Sequence, residues 1–152
     1  MAFRRKVNKV DSKGKVIKGS LKKWLASHKG ELYFDSVQEW QCWKYLKDEK
    51  IKFELQPEIE LFPNKKVNTF KDGDIKTMVQ RKMVYTPDFL LKIGKQKIYV
   101  EYKGYADPEF KMRWKLFKNT DHIGYIVYSV EDFIDLVDLL IERDAKGIIE
   151  QC

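Results

Sequence analysis

Apolar and polar positions along residues 36–48 follow the helical period. Ser36 and Glu39 form a capping-box pair, in which each side chain can satisfy a free backbone N–H of the first helical turn. We therefore predict a helix that begins here and ends at about Asp48. Its apolar stripe contains Glu39 together with Cys42, Trp43 and Leu46.

The same signals predict two further long helices and a short one. Asp107 followed by Pro108 is typical of an N-cap and a first helical residue, and predicts a helix to about Asn119. Residues 131–144 place Phe133, Val137, Leu140 and Ile141 on one face. Residues 20–28 are interpreted as a short helix or turn.

Four stretches have the composition of strands, namely residues 52–62, 81–93, 97–102 and 125–129. Asp72-Gly73 and Gly94 are turn signals between them. The polar segment 63–80 predicts either an extended hairpin tip or a mobile loop, with a disordered connection as the alternative. The order α, β, β, β, α, β, α predicts an α/β (α+β) protein with one domain over residues 24–152.

The charge is concentrated near the N-terminus. Residues 1–23 hold nine Lys or Arg against one acid, a charge of +8, which leaves −1 on the rest of a chain whose total is +7. This pattern predicts a basic flexible arm, including Arg4, Arg5 and Lys6, that is attracted to nucleic acid, with an anionic membrane surface as the weaker alternative. We expect no membrane span, because no apolar run approaches about 20 residues. Two cysteines give no disulfide framework, so a cytoplasmic location is expected.

Two carboxylates lie in otherwise apolar strands. Asp88 follows Pro87 in one strand, and Glu101 precedes Lys103 by two residues in the next. Because strand side chains alternate, Glu101 and Lys103 should share one face, opposite Val100 and Tyr102. Buried carboxylates require a cation or hydrogen-bond donors, and paired carboxylate oxygens suit Mg²⁺ or Mn²⁺. The alternative is an ion pair of Lys103 with either acid, without catalysis.

Three lysines and a glutamate extend this hypothesis. Glu39 begins a buried stripe and could reach the same metal site, or it could serve only the helix cap. In helix 107–119, Phe110, Trp114 and Phe117 form a stripe that should be core. Lys111, Lys115 and Lys118 form another stripe, which is either a contact surface for a DNA backbone or an ordinary solvated face.

At these residues the chain resembles the PD-(D/E)xK nuclease superfamily, and more closely the phage Holliday junction resolvases of the endonuclease I type. The matching segments are Tyr-Thr-Pro-Asp-Phe-Leu-Leu at 85–91, Val-Glu-Tyr-Lys-Gly at 100–104 and Lys-Ile-Lys-Phe-Glu at 50–54. The chain is also similar to small phage proteins of poorly defined function that carry Leu-Gln-Pro, here at 55–57, before the same motif. The resemblance covers roughly residues 31–130.

The resemblance implies a restriction-endonuclease-like core, in which a mixed central sheet is flanked by helices. It implies that Asp88, Glu101, Glu39 and the Tyr102 backbone carbonyl hold the metal, and that Lys103 is the catalytic lysine. The expected activity is Mg²⁺-dependent hydrolysis of DNA, including branched DNA, and the resolvases of this type act as homodimers. Segment 63–80 and residues 1–23 do not align with those resolvases.

Two kinds of alternative stay open. The substrate could be linear duplex, nicked DNA or RNA. The protein could also be a non-catalytic nucleic-acid-binding or phage assembly protein that retains the nuclease fold.

Overall fold

The computed structural model describes residues 8–104 and 107–147. Arg4, Arg5 and Lys6 of the expected arm lie outside the described residues, as does Cys152. The described residues form four helices: α1 (Leu21–Ser27), α2 (Val37–Asp48), α3 (Pro108–Lys118) and α4 (Val130–Ala145). They also form ten strands: β1 (Val10–Asp11), β2 (Tyr33–Phe34), β3 (Lys52–Leu55), β4 (Ile59–Phe62), β5 (Lys65–Lys71), β6 (Asp74–Gln80), β7 (Met83–Tyr85), β8 (Phe89–Ile93), β9 (Gln96–Tyr102) and β10 (Ile123–Val127).

The central sheet is mixed and has the order β10-β9-β8-β3. Strands β3, β8 and β9 are antiparallel neighbours, whereas β10 runs parallel to β9 after the crossover through α3. Strand β4 pairs with β7 in a separate two-stranded ladder. The prediction of a mixed α+β protein with a mixed sheet is confirmed.

The two faces of this sheet are covered by different helices. Phe89, Leu91 and Val100 pack in one core cluster with buried residues of α2 and α4. Leu90 and Tyr99, which alternate with them along the strands, pack instead with buried residues of α3. The sheet therefore lies between a two-helix layer and α3.

Helices α2 and α3 begin at their predicted capping residues, and Ser129, which was assigned to a strand, caps α4. Ser36, Asp107 and Ser129 are the N-caps of α2, α3 and α4, and the side chain of each accepts a hydrogen bond from the backbone N–H three residues later. In α4, Phe133, Val137 and Leu140 are buried as expected, but Ile141 is 42% exposed. The apolar stripe of α4 is therefore wider than the face that packs on the rest of the protein, and Ile141 lies beyond that contact.

Residues 8–23 correct the expectation of a flexible arm to residue 23. Strand β1 pairs with β2, and Val10 is buried in the main core. The Trp40 indole N–H donates to the Ser12 carbonyl at 2.9 Å, and α1 begins within the same segment. One apolar residue and a tight turn thus attach this basic segment to α2.

The segment 63–80 forms a hairpin, which is one of the three possibilities that the sequence left open. Strands β5 and β6 pair over seven residues each, and the Asp72-Gly73 turn joins them with both residues at positive φ. The predicted strand 52–62 is instead two strands, because Gln56 adopts a φ of 48° and its N–H donates to the Asp88 carbonyl. The predicted strand 81–93 is likewise divided at Thr86-Pro87-Asp88.

Candidate active site

Asp88 and Glu101 meet at one end of the central sheet. Asp88 immediately precedes β8, and Glu101 is the penultimate residue of β9. Phe89 lies opposite Val100 in the antiparallel register, which places the two acids on adjacent strands. Proline at position 87 precedes the strand, where its missing N–H costs no ladder bond.

Each carboxylate accepts a backbone hydrogen bond from the other's strand. The Asp88 N–H donates to Glu101 Oε2 at 3.1 Å, and the Tyr102 N–H donates to Asp88 Oδ2 at 2.8 Å. These reciprocal bonds fix both side chains against the strand ends. The site is therefore organised by the sheet itself.

Lys103 completes this group from the position directly after β9. Its Nζ lies 3.3 Å from Glu101 Oε1 and 4.5 Å from the centroid of the Phe110 ring. Val100, by contrast, packs in the core cluster on the opposite face, with Tyr102 against it. The predicted division of faces along residues 100–103 is confirmed.

Glu39 reaches the same region from the first turn of α2. It is half-buried, and its backbone N–H donates to Ser36 Oγ at 3.1 Å, so one half of the predicted capping box is formed. The negative charge of Glu39 contributes to raising the pKa of Asp88, and the negative charge of Glu101 contributes to raising the pKa of Glu39. Glu39 thus belongs electrostatically to the cluster.

Burial and mutual repulsion favour protonated acids at this site. Burial first, and then the charges of Glu101 and Glu39, raise the pKa of Asp88 to about 8. Burial and the charges of Asp35 and Glu101 raise the pKa of Glu39 to about 7. Burial also raises the pKa of Glu101, although Lys103 and hydrogen bonds oppose this change. One lysine does not offset three clustered acids.

Carboxylate oxygens are the candidate ligands for a divalent ion at this site. Within residues 8–104 and 107–147, no group of three or more His, Cys, Asp or Glu side chains is arranged to hold a metal. Mg²⁺, however, is usually bound by one or two carboxylates while it keeps several waters. Two hard-oxygen ligands on adjacent strand ends, Asp88 and Glu101, fit that mode, and the Tyr102 backbone lies beside them.

Two surface clefts open onto the carboxylates. One, of about 190 Å³, is lined by Glu39 and Asp88 together with residues of β2 and the end of β3. The other, of about 350 Å³, is lined by Glu101, Lys103, Asp107 and Arg113. The carboxylates of Asp88 and Glu101 therefore line two different clefts.

Two residues at the site were missed by the sequence analysis. The Tyr85 hydroxyl, buried at the end of β7, donates to Glu101 Oε2 at 3.0 Å. Arg113 of α3 donates from Nη1 to the Val84 carbonyl at 2.6 Å and pairs with Glu109. Arg113 follows Phe110 by one helical turn, a signal that could have placed it near Lys103. No comparable pattern marks Tyr85.

The expected lysine row on α3 is only partly exposed. Lys111 and Lys115 are exposed, as an interaction surface requires. Lys118 is half-buried, and its ammonium lies 3.4 Å from the Gly124 carbonyl, to which it donates. Lys118 is therefore less accessible than Lys111 and Lys115, and the role of the row in DNA contact stays a prediction. The stripe of Phe110, Trp114 and Phe117 packs on the sheet as predicted.

The fold and the site together define the class of this protein. It is a mixed α+β domain in which a cluster of carboxylates and a lysine lies at one end of the central sheet. Residues 22–130 match a family of proteins of unknown function, DUF1064, and the chain belongs to that family. The match includes Glu39, Asp88, Glu101 and Lys103 and ends as α4 begins. No curated protein and no solved structure matches the chain. Among the described residues, no helix has the length and apolar character needed to cross a membrane.

Proposed function

We propose that this protein is a Mg²⁺- or Mn²⁺-dependent endonuclease that hydrolyses DNA phosphodiester bonds. The observation that carries the proposal is the placement of two carboxylates and a lysine together: Glu101 accepts from the Asp88 N–H, Asp88 accepts from the Tyr102 N–H, and Lys103 lies 3.3 Å from Glu101. This arrangement fits the PD-(D/E)xK pattern that the sequence resembles. The restriction-endonuclease-like core belongs to the same proposal, supported by the mixed sheet between helical layers.

A purely structural ion pair explains this cluster less well. Lys103 can balance one negative charge, whereas Asp88, Glu101 and Glu39 together carry three when ionised. Their raised pKa values mean that burial and repulsion outweigh the available compensation. A divalent cation would stabilise the ionised forms at neutral pH, so the imbalance favours a metal site.

The residues have distinct roles in this mechanism. Asp88 and Glu101 would hold the ion, with Glu39 adding negative charge from α2. The bound ion would stabilise the extra negative charge of phosphodiester hydrolysis and lower the pKa of a water. Lys103, on the cleft side of Glu101, would orient the attacking water or neutralise the phosphate. Tyr85 and the Asp88 N–H hold Glu101 in place by donating to the same oxygen.

Branched DNA is the substrate that the resemblance to junction resolvases supports. A four-way junction requires two cuts, so a homodimer is part of this proposal. Cleavage of a four-way junction and of linear duplex with the same sequence, in Mg²⁺, would compare the two substrates. Equal rates would refute junction preference, and sedimentation of the protein with and without the junction would test the dimer.

Substitution of the site tests the mechanism. Asp88→Asn and Lys103→Ala should each lower the cleavage rate by at least about 100-fold while DNA binding persists. Glu54→Gln and Lys92→Ala are matched controls, because these residues form an exposed ion pair at 2.8 Å between β3 and β8. Wild-type rates in both site variants would refute the mechanism.

The second candidate is a non-catalytic nucleic-acid-binding protein that retains this fold. It is favoured by the finding that the described residues include no complete group of three metal-ligating side chains. It predicts DNA binding by the wild type with no cleavage in Mg²⁺ or Mn²⁺. Titration calorimetry with each ion separates the two candidates, since heat of binding that disappears in Asp88→Asn supports the enzyme.

A further inference from the structure

The hairpin formed by β5 and β6 exposes both of its faces. All seven residues of β6 are exposed, and in β5 only Val67 and Thr69 are half-buried. Its two strands form a sheet of their own, outside the central sheet. A two-stranded ribbon alone has little core to bury, so an exposed one of this length requires another explanation.

The tip of the hairpin carries a pair of exposed apolar side chains. Phe70 and Ile75 are direct cross-strand partners, and they are 74% and 68% exposed. Asn68 and Thr77, on the same face, are joined by a side-chain hydrogen bond of 3.2 Å. A solvent-exposed phenylalanine side chain next to a second large apolar side chain is typical of an interaction surface.

The charge of the hairpin identifies the kind of partner. Residues 63–82 contain six basic residues and two acids, a net charge of +4. Lys65, Lys71 and Lys76 share one face, and Lys66 lies on the other with Phe70. Lysines on both faces oppose pairing with a second copy of the same ribbon, because like charges would meet. These lysines instead favour a polyanion as the partner of the hairpin.

The hairpin is joined directly to the candidate active site. Its base is closed by the Lys82 N–H, which donates to Asn64 Oδ1 at 2.6 Å. From Gln80 the chain reaches Tyr85 in five residues, a span of at most about 18 Å. Tyr85 is the residue that donates to Glu101. A ligand at the base of the hairpin would therefore lie within this span of Tyr85, and the tip extends up to about 23 Å farther.

We propose that the β5–β6 hairpin is a nucleic-acid-binding ribbon, with lysines contacting the phosphates and Phe70 and Ile75 contacting bases. A two-stranded ribbon fits the DNA major groove, and seven residues extend about 23 Å. An apolar tip can insert at a base step or stack on an unpaired base. This inference rests on the proposed function for the identity of the partner.

Two variants test the contribution of the lysines and that of the apolar tip separately. One replaces Lys65, Lys66, Lys71 and Lys76 with Gln, and the other carries Phe70→Ser and Ile75→Thr. Binding to a 30-base-pair duplex and to a four-way junction is measured in EDTA, so that no cleavage occurs. The lysine variant should reduce the log–log salt slope on duplex by up to about 0.9 for each phosphate that the protein no longer neutralises. The tip variant should weaken junction binding about 5- to 100-fold with little change in the slope.

The matched control removes the same charge elsewhere. Lys50, Lys52, Lys95 and Lys97 are exposed and lie toward the opposite end of the sheet from Asp88. Their replacement with Gln should leave most of the binding intact. Circular dichroism and thermal unfolding check that each variant folds.

The outcomes distinguish the hairpin from the nuclease. If hairpin variants bind like the wild type, or no more weakly than the control, the hairpin inference is wrong even when cleavage is observed. If they lose binding while the wild type cleaves no substrate in Mg²⁺, the inference stands and the nuclease proposal fails. A tip variant that converts a dimer to a monomer with unchanged DNA binding would identify a protein interface and overturn the inference.

Discussion

Glu101 receives two hydrogen bonds and an ion pair from three residues. Tyr85 and the backbone of Asp88 donate to Oε2, and Lys103 lies beside Oε1. A buried carboxylate with these partners has little rotational freedom. Such partners commonly tune metal ligands, and their loss typically lowers metal affinity or activity about 10- to 100-fold.

Tyr85→Phe should therefore impair the site without disrupting the core. The ring remains packed against Phe110, Trp114 and Phe117, while the bond to Glu101 is removed. We expect Mg²⁺ affinity, measured by titration calorimetry, to decrease about 10-fold or more.

Tyr99→Phe is the matched control, since Tyr99 packs on Phe117 in the same cluster. It removes a hydroxyl from that cluster and leaves Tyr85 bonded to Glu101. Equal Mg²⁺ affinity in the two variants would contradict the assigned role of Tyr85.

The sequence could predict which site residues lie together when they are close to one another along the chain. The alternation along residues 100–103 places Glu101 beside Lys103, and the structure agrees. Tyr85 and Arg113 approach the site through contacts between elements that lie far apart in sequence, and no periodicity encodes such contacts. Helical spacing likewise could not show that Lys118 lies near a neighbouring strand and donates to the Gly124 carbonyl.

At the scale of elements, Gly14 joins the basic N-terminal segment to α2. It has a φ of 79°, and a Cβ built there would lie 2.9 Å from Trp40 Cη2. An L-residue in this conformation costs roughly 1–2 kcal/mol, and overlap with the indole should add about 1–3 kcal/mol.

Gly14→Ala should accordingly destabilise the protein more than Gly19→Ala in urea unfolding. Gly19 has the same φ of 79°, but a Cβ added there would have no other atom within 4 Å, so Gly19→Ala reports the backbone cost alone. The free energy of unfolding of the two variants should differ by about 1–3 kcal/mol. Equal values would mean that Trp40 accommodates the added Cβ without cost, which would contradict the close packing of Gly14 on the indole.

Long elements with clear sequence signals could be predicted more accurately than short ones. Helices α2, α3 and α4 combine an N-cap with a repeating apolar face, and all three were located within about two residues. Strands β1 and β2 have two residues each and depend on pairing across the chain. The interruption at Gln56 was missed because a left-handed residue other than glycine leaves no reliable sequence signal.

At the scale of the whole molecule, the net positive charge is concentrated in two segments. Residues 1–23 carry +8 and residues 63–82 carry +4, which leaves −5 on the remainder of a chain whose total is +7. The carboxylate cluster belongs to that acidic remainder. A DNA substrate would thus be attracted by the basic segments, while its phosphates would require a cation to approach the acids.

The raised pKa values of Asp88 and Glu39 make stability depend on pH. The folded protein retains protons that the unfolded chain releases near pH 4, and it loses them only at about 8 and about 7. Because the folded state binds more protons in this window, its free energy of unfolding should fall as pH rises from about 4 to 8. Thermal unfolding in EDTA from pH 5 to 8.5 measures this decline.

Mg²⁺ should reverse the decline if Asp88 and Glu101 hold it. Metal binding requires ionised carboxylates, so the increase in Tm on adding Mg²⁺ should grow over the same pH range. Asp88→Asn should show both a shallower decline in EDTA and a smaller Mg²⁺ effect, whereas Glu60→Gln, a change at an exposed acid, should resemble the wild type. A decline that persists unchanged in Asp88→Asn would assign the pH dependence to other groups. An increase in Tm that is equal at pH 5 and pH 8.5 would place Mg²⁺ binding outside the buried acids.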